Sequence, residues 1–182
     1  MTAVVRSAVR YENDTELLAA VLRVYKSHCR YLTSAILTDD DGVLGARCEF
    51  VIPESCYIDD TGHFNSVEFN ICYNQMIYYV VAKAIKERLL PVFHTWTMDD
   101  YWARQLPDFF IARFESVFRT PMRGRHFHGE IKLRKVKEHR DIPGRQPLIW
   151  LDTTCGYWED GGGRCDGQVR IAVRTPDDGA EG

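Results

Sequence analysis

The chain has 182 residues, enough for one domain with a sizeable core. Lys plus Arg is 23 and Asp plus Glu is 26, a formal charge of −3, which argues against nucleic acid as the main partner. Apolar residues at 45% and charged residues at 27% are ordinary for a soluble globular protein, and no run reaches the roughly 18 apolar residues of a membrane span.

The N-terminal MTAVVRSAVRYEND has no continuous apolar stretch of the signal-peptide kind. Six cysteines stand at 29, 48, 56, 72, 155 and 165 without a C-x-x-C pair, so zinc-ribbon spacing is absent. The expected compartment is the cytoplasm, with reduced thiols. Nothing in the residues calls for a metal or an organic cofactor.

In chain order, residues 1–13 read as loosely ordered. Asp14 or Thr15 caps a short helix to about Tyr25, with Leu17, Leu18, Val21 and Leu22 on one side. TSAILT is a strand, DDDG at 39–42 a turn, and VLGARCEFVI at 43–52 a second strand, so the two form a hairpin. A long helix follows, capped by Asn65, with Glu68 at the reach-back position of a capping box. From Met76 to Ile85 almost every face is apolar, the mark of a helix covered all round. Lys83, Lys86, Glu87 and Arg88 gather near its end, and Pro91 stops it.

The rest reads mostly as strand. VFHTWTM (92–98) is taken as a strand, DDYWARQL (99–106) as a helical turn, and FFIARFESVFR (109–119) as a strand. HFHGEIKLRKV (126–136) alternates Phe127, Ile131 and Leu133 with charged residues, the pattern of a half-exposed antiparallel strand. PLIWLDTTCGYW (147–158) and GQVRIAVR (167–174) flank a turn at the Gly161–Gly163 triplet, and the tail after Arg174 is expected to be flexible. A hairpin, one buried helix and a run of antiparallel strands make a single α+β domain over residues 1–182. That is also the element order of the hotdog fold.

One stretch resists a purely structural reading. TGHFNSVEFNICYNQ places Asn65, Glu68, Asn70, Asn74 and Gln75 at the start of the buried helix, where polar groups cost free energy unless partnered. Asn65 and Glu68 have a plain role as cap and capping box, and Asn74 and Gln75 as ties to the backbone of a neighbouring strand. The same residues also have a chemical use. Asn65, Asn74 and the Tyr57 hydroxyl are neutral donors, none of them a good nucleophile. Glu68 and His63 are the nearby bases. Gly62 permits close approach of backbone, and a helix N-terminus offers free N–H groups to an oxyanion.

Four stretches, YKSHCRYL (25–32), SCYIDDTGHFNSVE (55–68), CYNQ (72–75) and DDYWARQL (99–106), resemble the FcoT-type family of actinobacterial hotdog proteins. The resemblance runs from about Leu17 to the last strand. Between Arg119 and Gly144 it reduces to strand character. It implies a hotdog fold and action on acyl thioesters. Some members of the family were described as long-chain fatty acyl-CoA thioesterases. Others belong to isonitrile lipopeptide pathways, where glycine adds to the β-carbon of a (2E)-enoyl thioester on an acyl carrier protein and the β-amino acid is released. The family's site residues fall on Tyr57, Asn65, Asn74 and, with a spacing one residue shorter here, Tyr25. Glu68 and His63 stand beside them as bases. Gly62, Phe64, Arg30 and Tyr78 are candidate substrate-binding residues, Arg30 for the glycine carboxylate. The resemblance further implies a homodimer or higher homo-oligomer with sites at the subunit boundary.

The expected function is therefore glycine addition to an enoyl carrier-protein thioester, with hydrolytic release of the acid. Simple acyl-CoA hydrolysis and non-catalytic acyl or carrier-protein binding are the rivals. Glycine dependence of the product separates them.

Overall fold

The structure is a computed structural model and describes residues 8–139 and 147–175. Its elements are β1 (Val9–Tyr11), α1 (Thr15–Leu22), β2 (Leu32–Asp40), β3 (Val43–Val51), α2 (Ser66–Lys86), α3 (Met98–Arg104), β4 (Phe109–Thr120), β5 (His126–His139), β6 (Leu148–Trp158) and β7 (Arg164–Arg174). Single 3-10 turns occupy Ser27–Cys29 and Pro91–Phe93. The strands form one antiparallel sheet in the order β1-β2-β3-β5-β6-β7-β4. This is the α+β hotdog arrangement, with α2, about 30 Å long, lying along the inner face of the sheet. Among the described residues no helix is long and apolar enough to cross a membrane.

Alternation along the strands decides what faces α2. Phe127, Ile131 and Leu133 of β5, Ile149, Leu151 and Tyr157 of β6, and Val169, Ile171 and Val173 of β7 are all buried. Against them α2 sets Phe69, Tyr73, Met76 and Val80. The Phe69 ring meets Tyr157 edge-on at 4.8 Å between centroids, and the Tyr73 hydroxyl lies 2.7 Å from Thr153 Oγ1.

A second face of α2, carrying Glu68, Cys72, Gln75 and Tyr79, turns toward α1 and the start of β2. Gln75 accounts for its burial there. Its Oε1 accepts from the N–H groups of Tyr31 and Leu32, both at 2.9 Å, and its Nε2 donates to the Cys29 carbonyl at 2.6 Å. The structural alternative for this residue is the observed one. The third face, Val67, Asn70, Ile71, Asn74 and Tyr78, is half-buried or exposed along its length.

The structure departs from the sequence reading in four places. VFHTWTM is a 3-10 turn and a loop, not a strand. Pro91 opens the turn, Phe93 and Trp96 are buried three residues apart with rings 5.2 Å from each other, and a Thr97–Asp100 capping box starts α3. Helix α1 ends at Leu22 rather than Tyr25. The Arg30 guanidinium donates to the carbonyls of Arg23 and Tyr25, which lie past the end of the helix. The last strand begins at Arg164, three residues before GQVRIAVR. Within the N-terminal segment, residues 9–11 are an edge strand against Leu37–Asp39. Residues 1–7 and 176–182, also expected to be flexible, lie outside the described residues.

Candidate active site

The start of α2 is built by a local device and a tertiary clamp. Asn65, in an extended conformation, is the N-cap: its Oδ1 accepts from Val67 N–H at 2.9 Å and Glu68 N–H at 3.2 Å. The Glu68 carboxylate faces the Asn65 N–H from the reach-back position of a capping box. Asn65 Nδ2 donates to Thr61 Oγ1 at 3.2 Å, leaving its second hydrogen unused among the described residues. Among the described residues, the Ser66 N–H has no acceptor in the first turn.

The clamp comes from residues 121–125, between β4 and β5. Arg125 donates to the Pro53 carbonyl at 2.8 Å and to Asp60 at 2.7 Å, holding both ends of the loop that carries Tyr57. Asp60 accepts from the Gly62 N–H at 2.8 Å, and Gly62 sits at φ +73°, where a side chain would be strained. The Phe64 N–H donates to the Met122 carbonyl. Gly124, also at φ +73°, lies so close to Phe64 that an added Cβ would be 2.9 Å from the Phe64 Cβ. Glu159, in the β6–β7 turn, accepts from the N–H groups of Arg123 and Gly124 and secures the clamp from behind.

Glu68 is the carboxylate this arrangement buries, at 5% exposure. Burial raises its pKa above the ordinary glutamate value. The Ser55 hydroxyl, the Asn65 N–H and Arg125 oppose that rise, while Asp60 adds to it. Ser55 Oγ is itself buried and makes no well-aligned hydrogen bond among the described residues. A carboxyl of raised proton affinity at the positive end of a helix is suited to taking a proton and returning it.

A second group lies one to three turns further along α2. Tyr25 is half-buried against the core with Tyr78 and Cys72 nearby, and burial pushes its phenol far above the ordinary value, so it stays a neutral donor. Tyr78 meets Phe109 edge-on at 5.6 Å, and its carbonyl accepts from the Tyr101 hydroxyl. Asn74 Nδ2 donates to Asn70 Oδ1 at 3.3 Å. Asn74 therefore does not tie down a strand as Gln75 does, and it stays on the uncovered face.

The candidates named from sequence thus separate. Asn65, Glu68 and Gly62 meet at the helix start, with Tyr57, 51% exposed, on the clamped loop above. Tyr25, Asn74 and Tyr78 belong to the second group. His63 is exposed beside the first. Phe64 is core: its ring packs on Phe127 at 4.8 Å and on Tyr157 at 5.4 Å, because Gly124 leaves room for it to turn inward. Arg30 donates through Nε and Nη2 to backbone carbonyls of its own loop, which holds its guanidinium there rather than beside the helix start. Ser55, Asp60 and Arg125 had escaped the sequence reading. The first two lie within a quoted motif, but nothing local ties them to Arg125, some 65 residues away.

The family description "FcoT-like thioesterase domain" matches residues 20–173. A (2E)-enoyl-[ACP] glycyltransferase of Streptomyces coeruleorubidus is 55% identical over 164 residues, 90% of this chain and 99% of the relative. Its counterpart of the same name from Mycobacterium marinum is 34% identical over 173 residues, 94% and 92% of the two chains. Among solved structures, a protein from Syntrophus aciditrophicus is similar with a TM-score of 0.49 at 8% identity, covering 87% of this chain and 94% of the other.

Proposed function

Because this chain belongs to the FcoT-like thioesterase domain family, we propose that it adds glycine to the β-carbon of a (2E)-enoyl thioester on an acyl carrier protein and then hydrolyses the thioester. The observation that carries the reading is the buried Glu68 carboxyl at the positive end of α2, beside N–H donors that are unused among the described residues.

Glycine arrives as an ammonium. Glu68 takes one proton, the nitrogen lone pair forms a bond to the β-carbon, and the C=C electrons move onto the thioester oxygen. That oxygen now carries the charge of an enolate. The Ser66 N–H, the second Asn65 hydrogen and the Tyr57 hydroxyl are the donors offered to it, on a helix end whose dipole favours the anion. Glu68 returns its proton to the α-carbon. In the second half, Glu68 takes a proton from water as the water oxygen bonds to the thioester carbon, the same donors hold the tetrahedral oxyanion, and its collapse breaks the C–S bond, the thiolate taking the proton and the β-(carboxymethyl)amino acid leaving. Charge develops at one oxygen in both halves, so one donor set serves both.

The open stripe of α2 and the edge strand β4 support a homodimer. β4 ends the sheet, yet it carries Phe110, Ile111, Val117 and Phe118 at 37–44% exposure. An exposed apolar edge is a template for another strand. Phe109, Phe114 and Phe118 of β4 already touch Tyr78, Tyr73 and Phe69 of α2. A second copy paired along β4 would therefore also roof Asn70, Asn74 and Tyr78, completing an apolar slot for the acyl chain at the boundary.

The experiment supplies an enoyl thioester on a carrier protein and a saturated acyl-CoA, each with and without glycine, and identifies products by mass spectrometry. A β-amino acid formed only with glycine is expected. Free acid at a rate indifferent to glycine would replace this reading with simple thioester hydrolysis.

A further inference from the structure

We propose that the loop joining α1 to β2, residues 23–30, is the surface on which the acidic carrier protein docks. The inference rests on the carrier-thioester reading above.

No Asp or Glu occurs between Glu16 and Asp39, while Arg23, Lys26, His28 and Arg30 fall within eight residues of one another. All four are exposed, as is Val24 at 44%. A chain of formal charge −3 thus places three basic side chains, Arg23, Lys26 and Arg30, on one short loop. Glu54 is the acid that faces it, beside Cys29.

The loop is held rigidly. Gln75 takes the Cys29 carbonyl and the Tyr31 and Leu32 N–H groups from below, and Arg30 ties the Arg23 and Tyr25 carbonyls together from above. Between these exposed residues, Tyr25 is half-buried and packs against the core, with Cys72 and Tyr78 of α2 nearby. One rigid loop therefore presents cations outside and a site tyrosine inside. A carrier protein offers a matching pair of features: an acidic surface, and a phosphate-linked arm that must pass from that surface to the thioester.

A second cationic region is less suited. Lys135, Lys137 and Arg170 line a shallow cleft of about 260 Å³ on the outer face of the sheet, but Asp152 lies among them and pairs with Arg170. Strand alternation puts this face on the opposite side of the sheet from α2.

The test compares wild type with Arg23→Glu/Lys26→Glu and, as control, Lys135→Glu/Lys137→Glu. Each is assayed with glycine and the same enoyl group on carrier protein, on CoA and on pantetheine. Binding of the enoyl carrier protein is followed in parallel by fluorescence anisotropy. The loop variant should raise KM and Kd for the carrier about tenfold or more and flatten their salt dependence. Its kcat with pantetheine thioester should be unchanged. The outer-face variant should behave as wild type.

Unchanged carrier binding in the loop variant overturns the proposal, and so does a loss confined to the outer-face variant. An equal loss with pantetheine thioester would mean a distorted site, and an equal loss with CoA would mean that the loop reads a nucleotide phosphate. Either refutes docking. If wild type turns over none of the three substrates, the enzymatic reading fails, and the anisotropy series still decides the docking surface.

Discussion

Gln75→Leu removes a side chain with three polar partners and leaves its volume nearly filled. Two backbone N–H groups and one carbonyl, all bonded at 2.6–2.9 Å, lose their partner. Gln75 is fully buried, so these groups are not already shared with bulk water. Each orphaned group costs ~1–3 kcal/mol, and some is recovered as water enters from the nearby loop, so the expected loss is roughly 3–6 kcal/mol. That is a large fraction of the ~5–15 kcal/mol by which a domain is stable. A loss of about 4 kcal/mol lowers a urea midpoint by roughly 2 M at an ordinary slope. Equilibrium urea unfolding at unchanged slope is the assay. A midpoint shift below about 0.5 M would show that the three bonds contribute little net free energy, and the account of why this glutamine is buried would be wrong.

Glu68→Gln keeps an oxygen facing the Asn65 N–H but removes the base. Its kcat should fall about 10²–10⁴-fold, and the acid limb of the pH–rate profile should disappear. Stability should move the other way. Glu68 has a raised folded pKa, so wild type loses stability as pH rises from the unfolded glutamate value through that raised pKa, and the amide does not. Thermal melts at pH 8 should find the variant at least as stable as wild type. Asn74→Ala should lower kcat more than it weakens binding, by about 10–100-fold, and unchanged turnover in a folded variant would remove it from the mechanism. Gly124→Ala should cost more than Gly62→Ala. Both sites have φ +73°, worth ~1–2 kcal/mol for an alanine, but only at Gly124 does the new methyl meet another atom, 2.9 Å away on Phe64. Equal unfolding free energies would refute that contrast. Ile111→Lys with Val117→Lys should yield a monomer by sedimentation velocity, with activity lost alongside.

The long buried helix, its Asn65 cap, the hairpin before it and most of the strands after it were legible in the sequence. Each rests on contacts within a few residues: a side chain reaching its own helix start, an alternation of period two, a glycine turn. The resemblance in TGHFNSVE and CYNQ named the right family for the same reason, since those motifs are contiguous. Which polar residue is structural was not legible. Gln75 and Asn74 are neighbours in the chain, yet one turns to the backbone of β2 and the other stays on the uncovered face of α2. A rotation of about 100° per residue separates their surroundings completely. Only the tertiary structure brought Arg125 to Asp60 across 65 residues, turned Phe64 into the core and drew Arg30 onto its own loop. Local interactions choose the elements. Partners distant in sequence decide which way their polar side chains face, because a buried hydrogen bond has to be completed by whatever the fold places within reach.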